Sequence, residues 1–283
     1  KSDMILIFMP SLTSILGAIT AIILKKKYCL YFGLEPFNSR YNFIIKFFIK
    51  HIIQNATFCL GTGSQVLSEI KKYNNESFLT KPNILFNKSD VVTKKRFNKN
   101  INLLYVGSLE KRKGLIYLIS ALKNIEIRNN INKLYIVGDG ELFDILKKNV
   151  IDYKLDNKIV FVGYVSDASL LKKYYKMSDI FILPSFEEGF PRVIYESMIN
   201  GLAILTTPVN SIPTILKDNS SAIFLVPGST QSIEKSLLKL IKNPRKIEKI
   251  SSNAQDLIFS IIDQPAFEQH AEIIKKYIWG KYF

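Results

Sequence analysis

The chain has 283 residues, 47% hydrophobic and 22% charged, a composition that suits a folded protein too long for one comfortable core. Lys and Arg outnumber Asp and Glu by 39 to 24, and the resulting charge of +15 favours phosphorylated small molecules, an anionic membrane surface or nucleic acid as partners. No arginine-rich arm, zinc-finger spacing or RNA-binding aromatic signature accompanies the charge, so nucleic acid is not expected as a partner.

In chain order, the first feature is Met4 to Leu24, nearly uncharged, long enough to span a bilayer and followed by Lys25, Lys26 and Lys27. Pro10, Ser11, Thr13 and Ser14 interrupt it with a turn and helix-start signature, which predicts a strand over 3–9 and a helix over 14–26 instead. Asp3 and the length of the apolar run argue against a cleaved signal peptide. A strand is expected over 28–32, a helix over 41–54, a strand over 56–60, then the turn Gly61 to Ser64 and a helix to Tyr73. Cys29 and Cys59 lie in apolar runs, do not make a disulfide framework and suit a reducing cytoplasm. Residues 87–100 are polar, basic and without periodicity, so the inter-domain linker is expected there, with domains over 1–97 and 98–283.

The alternation of strand and helix then resumes. Strands are predicted over 101–106, 133–137, 158–162, 179–183, 203–206 and 222–226, with helices over 114–123, 141–149, 168–176, 191–200 and 230–242, and terminal helical segments to Ile278. Continuous apolar strands separated by helices predict an α/β fold with parallel, doubly wound sheets, in which ligands bind at the carboxyl ends of the strands.

The densest signal lies at one such end, Pro184-Ser185-Phe186-Glu187-Glu188-Gly189-Phe190-Pro191, followed by Arg192 and Glu196. Pro191 is expected at the first helical position, where its missing N–H costs nothing, with the helix N-terminus open to an anion. Glu188 and Glu196 have the chemistry to grip two hydroxyl-bearing rings flanking a diphosphate; Arg192 and Glu196 also fit an ordinary surface pair, and Glu187-Glu188 a solvated loop. Lys113 ends the basic run Lys111-Arg112-Lys113, which fits either a phosphate site or a solvated face. Gly107, Gly138 and Gly163 each follow a predicted strand, as turn residues or as places where backbone approaches a ligand.

This arrangement resembles the glutamate-seven-residues-glutamate motif of the retaining, family-four GT-B glycosyltransferases (glycosyl transferases group 1), flanked by Asp179 to Ser185 and by Met198 to Gly201. The resemblance extends to Val106-Gly107-Ser108-Leu109, Lys113-Gly114, Ile136 to Gly140, Phe161 to Val165 and Val226-Pro227-Gly228, covering nearly all of 101–245. It implies two Rossmann-like doubly wound domains, the first shortened: an acceptor-side domain, read as incomplete, and a donor-binding domain whose terminal helices pack back toward the first. Lys113 and Glu188 are implied as catalytic residues, Lys113 neutralising the donor diphosphate and Glu188 holding the donor sugar. Glu196 is implied to bind the ribose hydroxyls, Gly107 and Gly138 to let backbone approach the diphosphate, and Gly163, Tyr164 and Val165 to border the base. Gly189, Phe190 and Pro191 complete the donor-side helix start. Ser108 stands where the family commonly carries an arginine, with Arg112 a candidate substitute; Asn210, Ser211 and Thr214 replace the usual glycine pair and glutamate.

The expected function is retaining, metal-independent transfer of a hexose from a UDP- or GDP-linked donor, a substrate rather than a cofactor, to a polysaccharide or lipid-linked glycan. No metal ligands are expected, since His51 and His270 are not spaced as such. An accessory donor-binding subunit and a nucleotide-sugar epimerase are the alternatives. Glu35 is a loop carboxylate or an acceptor-side group, and Gly61 to Ser64 a helix cap or a phosphate cradle. Lys25 to Lys27, Lys46, Lys50 and Lys71-Lys72 are either solvated or a peripheral contact with the inner face of a membrane.

Overall fold

The computed structural model describes residues 4–33, 36–37, 41–80, 91, 100–188, 191–262, 271–273 and 275–277. The chain separates into two compact units, Lys1–Asn83 with Gln264–Phe283, and Ile84–Asp263. The expected boundary at residue 97 lies outside the described residues.

The first unit runs β1 (Ile5–Met9), α1 (Leu12–Ile23), β2 (Tyr28–Phe32), α2 (Phe43–Asn55), β3 (Phe58–Thr62), α3 (Ser64–Lys71) and β4 (Ser77–Thr80). Its strands form one parallel sheet in chain order, β1-β2-β3-β4. The long apolar run is divided at Ser11, where Ser14 N donates to Ser11 Oγ at 3.1 Å and Ser11 N donates to Ser14 Oγ at 2.8 Å. That reciprocal cap starts α1 two residues earlier than expected. Among the described residues no helix is long and apolar enough to cross a membrane. Asn42 likewise sets the start of α2, its side chain accepting from Ile45 N at 2.9 Å. Gly63, with φ of 92°, occupies the position before α3, so the Gly61–Ser64 turn begins that helix.

Cys29 and Cys59 are buried, free thiols on neighbouring strands, and the register pairs Cys29 with Phe58 and Leu30 with Cys59. Successive side chains alternate across a strand, so the two sulfurs face opposite sides of the sheet. Cys59 joins Leu30, Ile49 and Ile53 under the helices, whereas Cys29 joins Phe58, Leu60, Ile273 and Tyr277 on the other face. Burial pushes the two thiols up to about 11 and about 12.

The second unit runs β5 (Ile101–Val106), α4 (Leu115–Ala121), α5 (Ile125–Asn130), β6 (Ile131–Val137), α6 (Phe143–Asp152), β7 (Ile159–Gly163) and α7 (Ala168–Met177). It continues through β8 (Ile180–Leu183), α8 (Arg192–Ile199), β9 (Ala203–Thr206), α9 (Ile212–Ile215), β10 (Ile223–Phe224), α10 (Thr230–Ile241) and α11 (Pro244–Ile262). The sheet is parallel, in the order β10-β9-β8-β5-β6-β7. The chain therefore winds outward from β5 through β7, returns to the centre, and winds the other way from β8, leaving a crevice between the ends of β5 and β8. Pro191 precedes α8 as its N-cap instead of filling the first helical position, which corrects the expectation; the helix begins at Arg192, with the Pro191 carbonyl accepting from Ile194 N at 3.0 Å.

Two glycines set close approaches between loops at the strand ends. A Cβ on Gly114, which has φ of 70°, would overlap the carbonyl oxygen of Pro184, so this contact between the β5 and β8 loops needs a residue without a side chain. Gly138, with φ of 138°, lies under the Gly107 carbonyl in the same way, and its N–H donates to Gly163 O at 2.8 Å. Gly138→Ala must relieve both an overlap and a left-handed backbone, and is expected to cost about 3 kcal/mol of stability. Urea denaturation measures that loss.

Candidate functional site

Lys113 ends a single 3-10 turn, Lys111–Lys113, after β5, and Glu188 sits in the loop after β8. The Lys113 ammonium donates to both Glu188 oxygens, at 2.7 and 2.8 Å, with the two side chains only 11% and 6% exposed. The implied catalytic pair is thus one buried ion pair joining the two loops at the switch point. Phe186 N donates to Arg112 O at 2.8 Å and ties the same loops through the backbone.

The carboxylate is held from several sides. Ser185 Oγ donates to Glu188 Oε1 at 2.5 Å, Thr207 Oγ1 donates to Ser185 O at 2.5 Å, and Asn210 Nδ2 donates to Glu188 O at 2.5 Å. Asn210 adopts φ of 48°, a conformation Asn tolerates better than most residues. At a position that looked only like a departure from the family, it steadies the Glu188 backbone. Ser185 and Thr207 were not among the sequence candidates; their signal is a hydroxyl residue just beyond the ends of two buried strands.

Glu196 is buried on α8 and accepts from Tyr175 Oη at 2.8 Å, while its backbone carbonyl accepts from Asn200 Nδ2 at 2.8 Å. Burial raises the Glu196 carboxyl above its ordinary value, against the Tyr175 hydrogen bond and the nearby positive charge of Arg192. The Arg192 charge acts on Glu196 from the first turn of the same helix.

A cleft of about 530 Å³ opens at the ends of β5, β6 and β7, lined by Gly107, Ser108, Gly138, Tyr164, Val165 and Leu171 among others. It gathers five of the proposed donor-binding residues; Gly163 supports it through its carbonyl bond to Gly138. Asp139 and Leu171 also line it and had not been singled out. Tyr105 links cleft and ion pair: its hydroxyl donates to Ser108 O at 2.7 Å, and burial, then the Glu188 charge, hold its pKa well above the ordinary value. Arg112 Nε donates to Glu110 Oε2 at 2.6 Å, so the candidate substitute for the missing arginine already has a carboxylate partner. The Ser108 hydroxyl and Arg112 together hold the half-exposed Glu110 carboxyl below its ordinary value. Gly189, Phe190, Glu35 and His270 lie outside the described residues. His51 is exposed on α2 beside Asn55.

A two-unit α/β chain with a switch-point ion pair and an adjoining nucleotide-sized cleft has the architecture of the GT-B class. The family model described as glycosyl transferases group 1 matches residues 87–257, and the chain belongs to that family. It is 32% identical over 157 residues to an uncharacterized glycosyltransferase, MJ1607, of Methanocaldococcus jannaschii, a match covering 56% of this chain and 40% of the relative. It is 29% identical over 157 residues to the UDP-Gal:alpha-D-GlcNAc-diphosphoundecaprenol alpha-1,3-galactosyltransferase of Escherichia coli, covering 54% of this chain and 39% of that enzyme. The chain therefore spans less than half of either relative's length. Among solved structures, Anabaena HepE in complex with UDP and glucose shares the fold, with a TM-score of 0.80 at 17% identity over 96% of this chain and 78% of that one.

Removing one member of a buried ion pair strands the other charge. Lys113→Met is expected to lower the unfolding free energy by roughly 3 kcal/mol, and adding Glu188→Gln to recover most of the loss; denaturation of the single and double variants reads both. Because the raised Glu196 pKa marks a folded state that penalises ionisation, the stability contributed by its neutral form is complete below the ordinary value of 4.5 and is lost as pH rises through the raised one. Glu196→Gln should accordingly melt at or above the wild-type temperature at neutral pH, with the gap closing as pH falls toward 4.5, as scanning calorimetry measures.

Proposed function

We propose that this chain is a retaining, metal-independent hexosyltransferase of family four, which takes a sugar from a UDP- or GDP-linked donor and passes it to a polysaccharide or lipid-linked glycan acceptor. The observation that carries this proposal is the Lys113–Glu188 pair, buried at the switch point beside a nucleotide-sized cleft. Membership of the family and the UDP-bound HepE structure support a nucleotide donor, and the Escherichia coli relative supports a lipid-linked acceptor.

Glycosyl transfer breaks the bond from the sugar's anomeric carbon to the diphosphate, so negative charge builds on the departing phosphate oxygen. An ammonium has three N–H donors, and Lys113 gives two of them to Glu188. Its remaining N–H, and the N-terminus of α8, are the chain's means of stabilising that charge, which gives metal independence a physical basis. Glu188 then meets the sugar hydroxyls and Glu196 the ribose, while Tyr164 and Val165 border the base. The protein works in the cytoplasm, at the inner face of a membrane.

Donor binding without transfer, as in an accessory subunit, is the second proposal, favoured by Ser108 standing where the family commonly carries an arginine while Arg112, the candidate substitute, is engaged by Glu110. Calorimetric titration with UDP, GDP and their sugar conjugates tests the donor site. One nucleotide should bind tightly, and Lys113→Ala and Glu196→Ala should each weaken it by about tenfold or more; a folded sample that binds none of them contradicts the assignment. Donor hydrolysis in the absence of acceptor, lost in Glu188→Ala, separates the transferase from the accessory subunit.

A further inference from the structure

Helices α1 and α2 pack against each other and both bury an inner face, with Ile15, Ala18 and Ala21 from α1 and Ile49, Ile52 and Ile53 from α2. Their outer faces are apolar as well. Leu12, Leu16 and Ile23 are 64–72% exposed, and Phe43, Ile44 and Phe47 are 60–83% exposed. A helix that is hydrophobic on both sides belongs in a core or against a cover, and an exposed patch of this kind marks an interaction site.

Charge identifies the cover. Neither helix contains an acidic residue, while Lys46 and Lys50 lie on α2 and Lys25, Lys26 and Lys27 follow α1. Aromatic and aliphatic side chains interleaved with lysines, without a carboxylate, complement the anionic headgroups and acyl boundary of a bilayer surface. A second copy of the chain fits less well, because a two-fold contact through this face would bring lysines against lysines. α1, with 12 residues, rises only about 18 Å, too short to span a bilayer.

We infer that the outer face of α1 and α2 docks the protein on an anionic lipid surface, with Phe43, Ile44, Phe47, Leu12 and Leu16 entering the headgroup boundary and the lysines meeting lipid phosphates. This deepens the proposed function and rests on it for its purpose, since a lipid-linked acceptor is presented at that surface.

Vesicle co-sedimentation tests the inference, using phosphatidylcholine vesicles with and without about one third phosphatidylglycerol. The wild type should pellet with the anionic vesicles and not with phosphatidylcholine alone, less so at high salt. Phe43→Ser/Phe47→Ser and Lys46→Glu/Lys50→Glu should each weaken binding about tenfold. These side chains are exposed or half-buried, so circular dichroism should show both variants folded. Absence of binding to anionic vesicles, or binding unchanged in both variants, overturns the inference. Lipid-free self-association that the phenylalanine substitutions abolish, read by analytical ultracentrifugation, also overturns it and assigns the face to a second copy. Nucleotide titration of the same samples separates the two proposals: vesicle binding without nucleotide binding contradicts the donor site and leaves the docking face standing.

Discussion

The second unit is organised around a charge pair that its fold has to bury. Parallel winding leaves an opening where the chain reverses between β5 and β8, and Lys113 and Glu188 meet across it at 2.7 Å. Burying two charges is costly unless geometry and further hydrogen bonds offset the lost hydration. The neighbouring residues supply that offset: Ser185 donates to the carboxylate, Thr207 holds Ser185, Asn210 holds the Glu188 backbone, and the Gly114–Pro184 contact brings the loops within reach. A hydrophobic pair would fill the same space with less risk to stability. Retaining charges there makes physical sense if a charged ligand completes the site.

Polar side chains around the crevice follow the same logic at a second buried carboxylate. Glu196 has lost water and gained the Tyr175 hydroxyl and the Arg192 charge, which only partly restore its ionised form. Stability is thus given up at a position suited to recognising vicinal hydroxyls, the trade expected where binding sets the residue type. Tyr105 carries the connection onward, touching the cleft through Ser108 O and feeling the Glu188 charge on its buried hydroxyl.

Much of this was legible in the sequence because strong signals coincide. β2, β5 and β9 match their expected spans because each is a continuous apolar run with a clear break at both ends. β4 was missed because Ser77-Phe78-Leu79-Thr80 is short and has no apolar run of its own; its partner β3 makes it a strand. α5 was missed as well, since its six residues depend on the Asn124 cap, which accepts from Glu126 N and Ile127 N. At the site, the family resemblance pointed to Lys113, Glu188 and Glu196 separately, but not to the direct bond between the first two. Two residues 75 positions apart meet only through sheet order. Asn210 read as a departure, because its part is a backbone hydrogen bond that residue type alone does not announce. The apolar outer face of α1 and α2 was invisible for the opposite reason: apolar residues at helical spacing read as core until burial shows which side is covered.

The proposed function puts the donor diphosphate at the Lys113–Glu188 pair. A crystal structure of the chain with UDP bound tests it most directly. A phosphate oxygen should lie within hydrogen-bonding distance of Lys113 Nζ, the base between the ends of β6 and β7 beside Tyr164 and Val165, and the ribose hydroxyls on Glu196. A nucleotide bound elsewhere, with its phosphates away from Lys113, would contradict it.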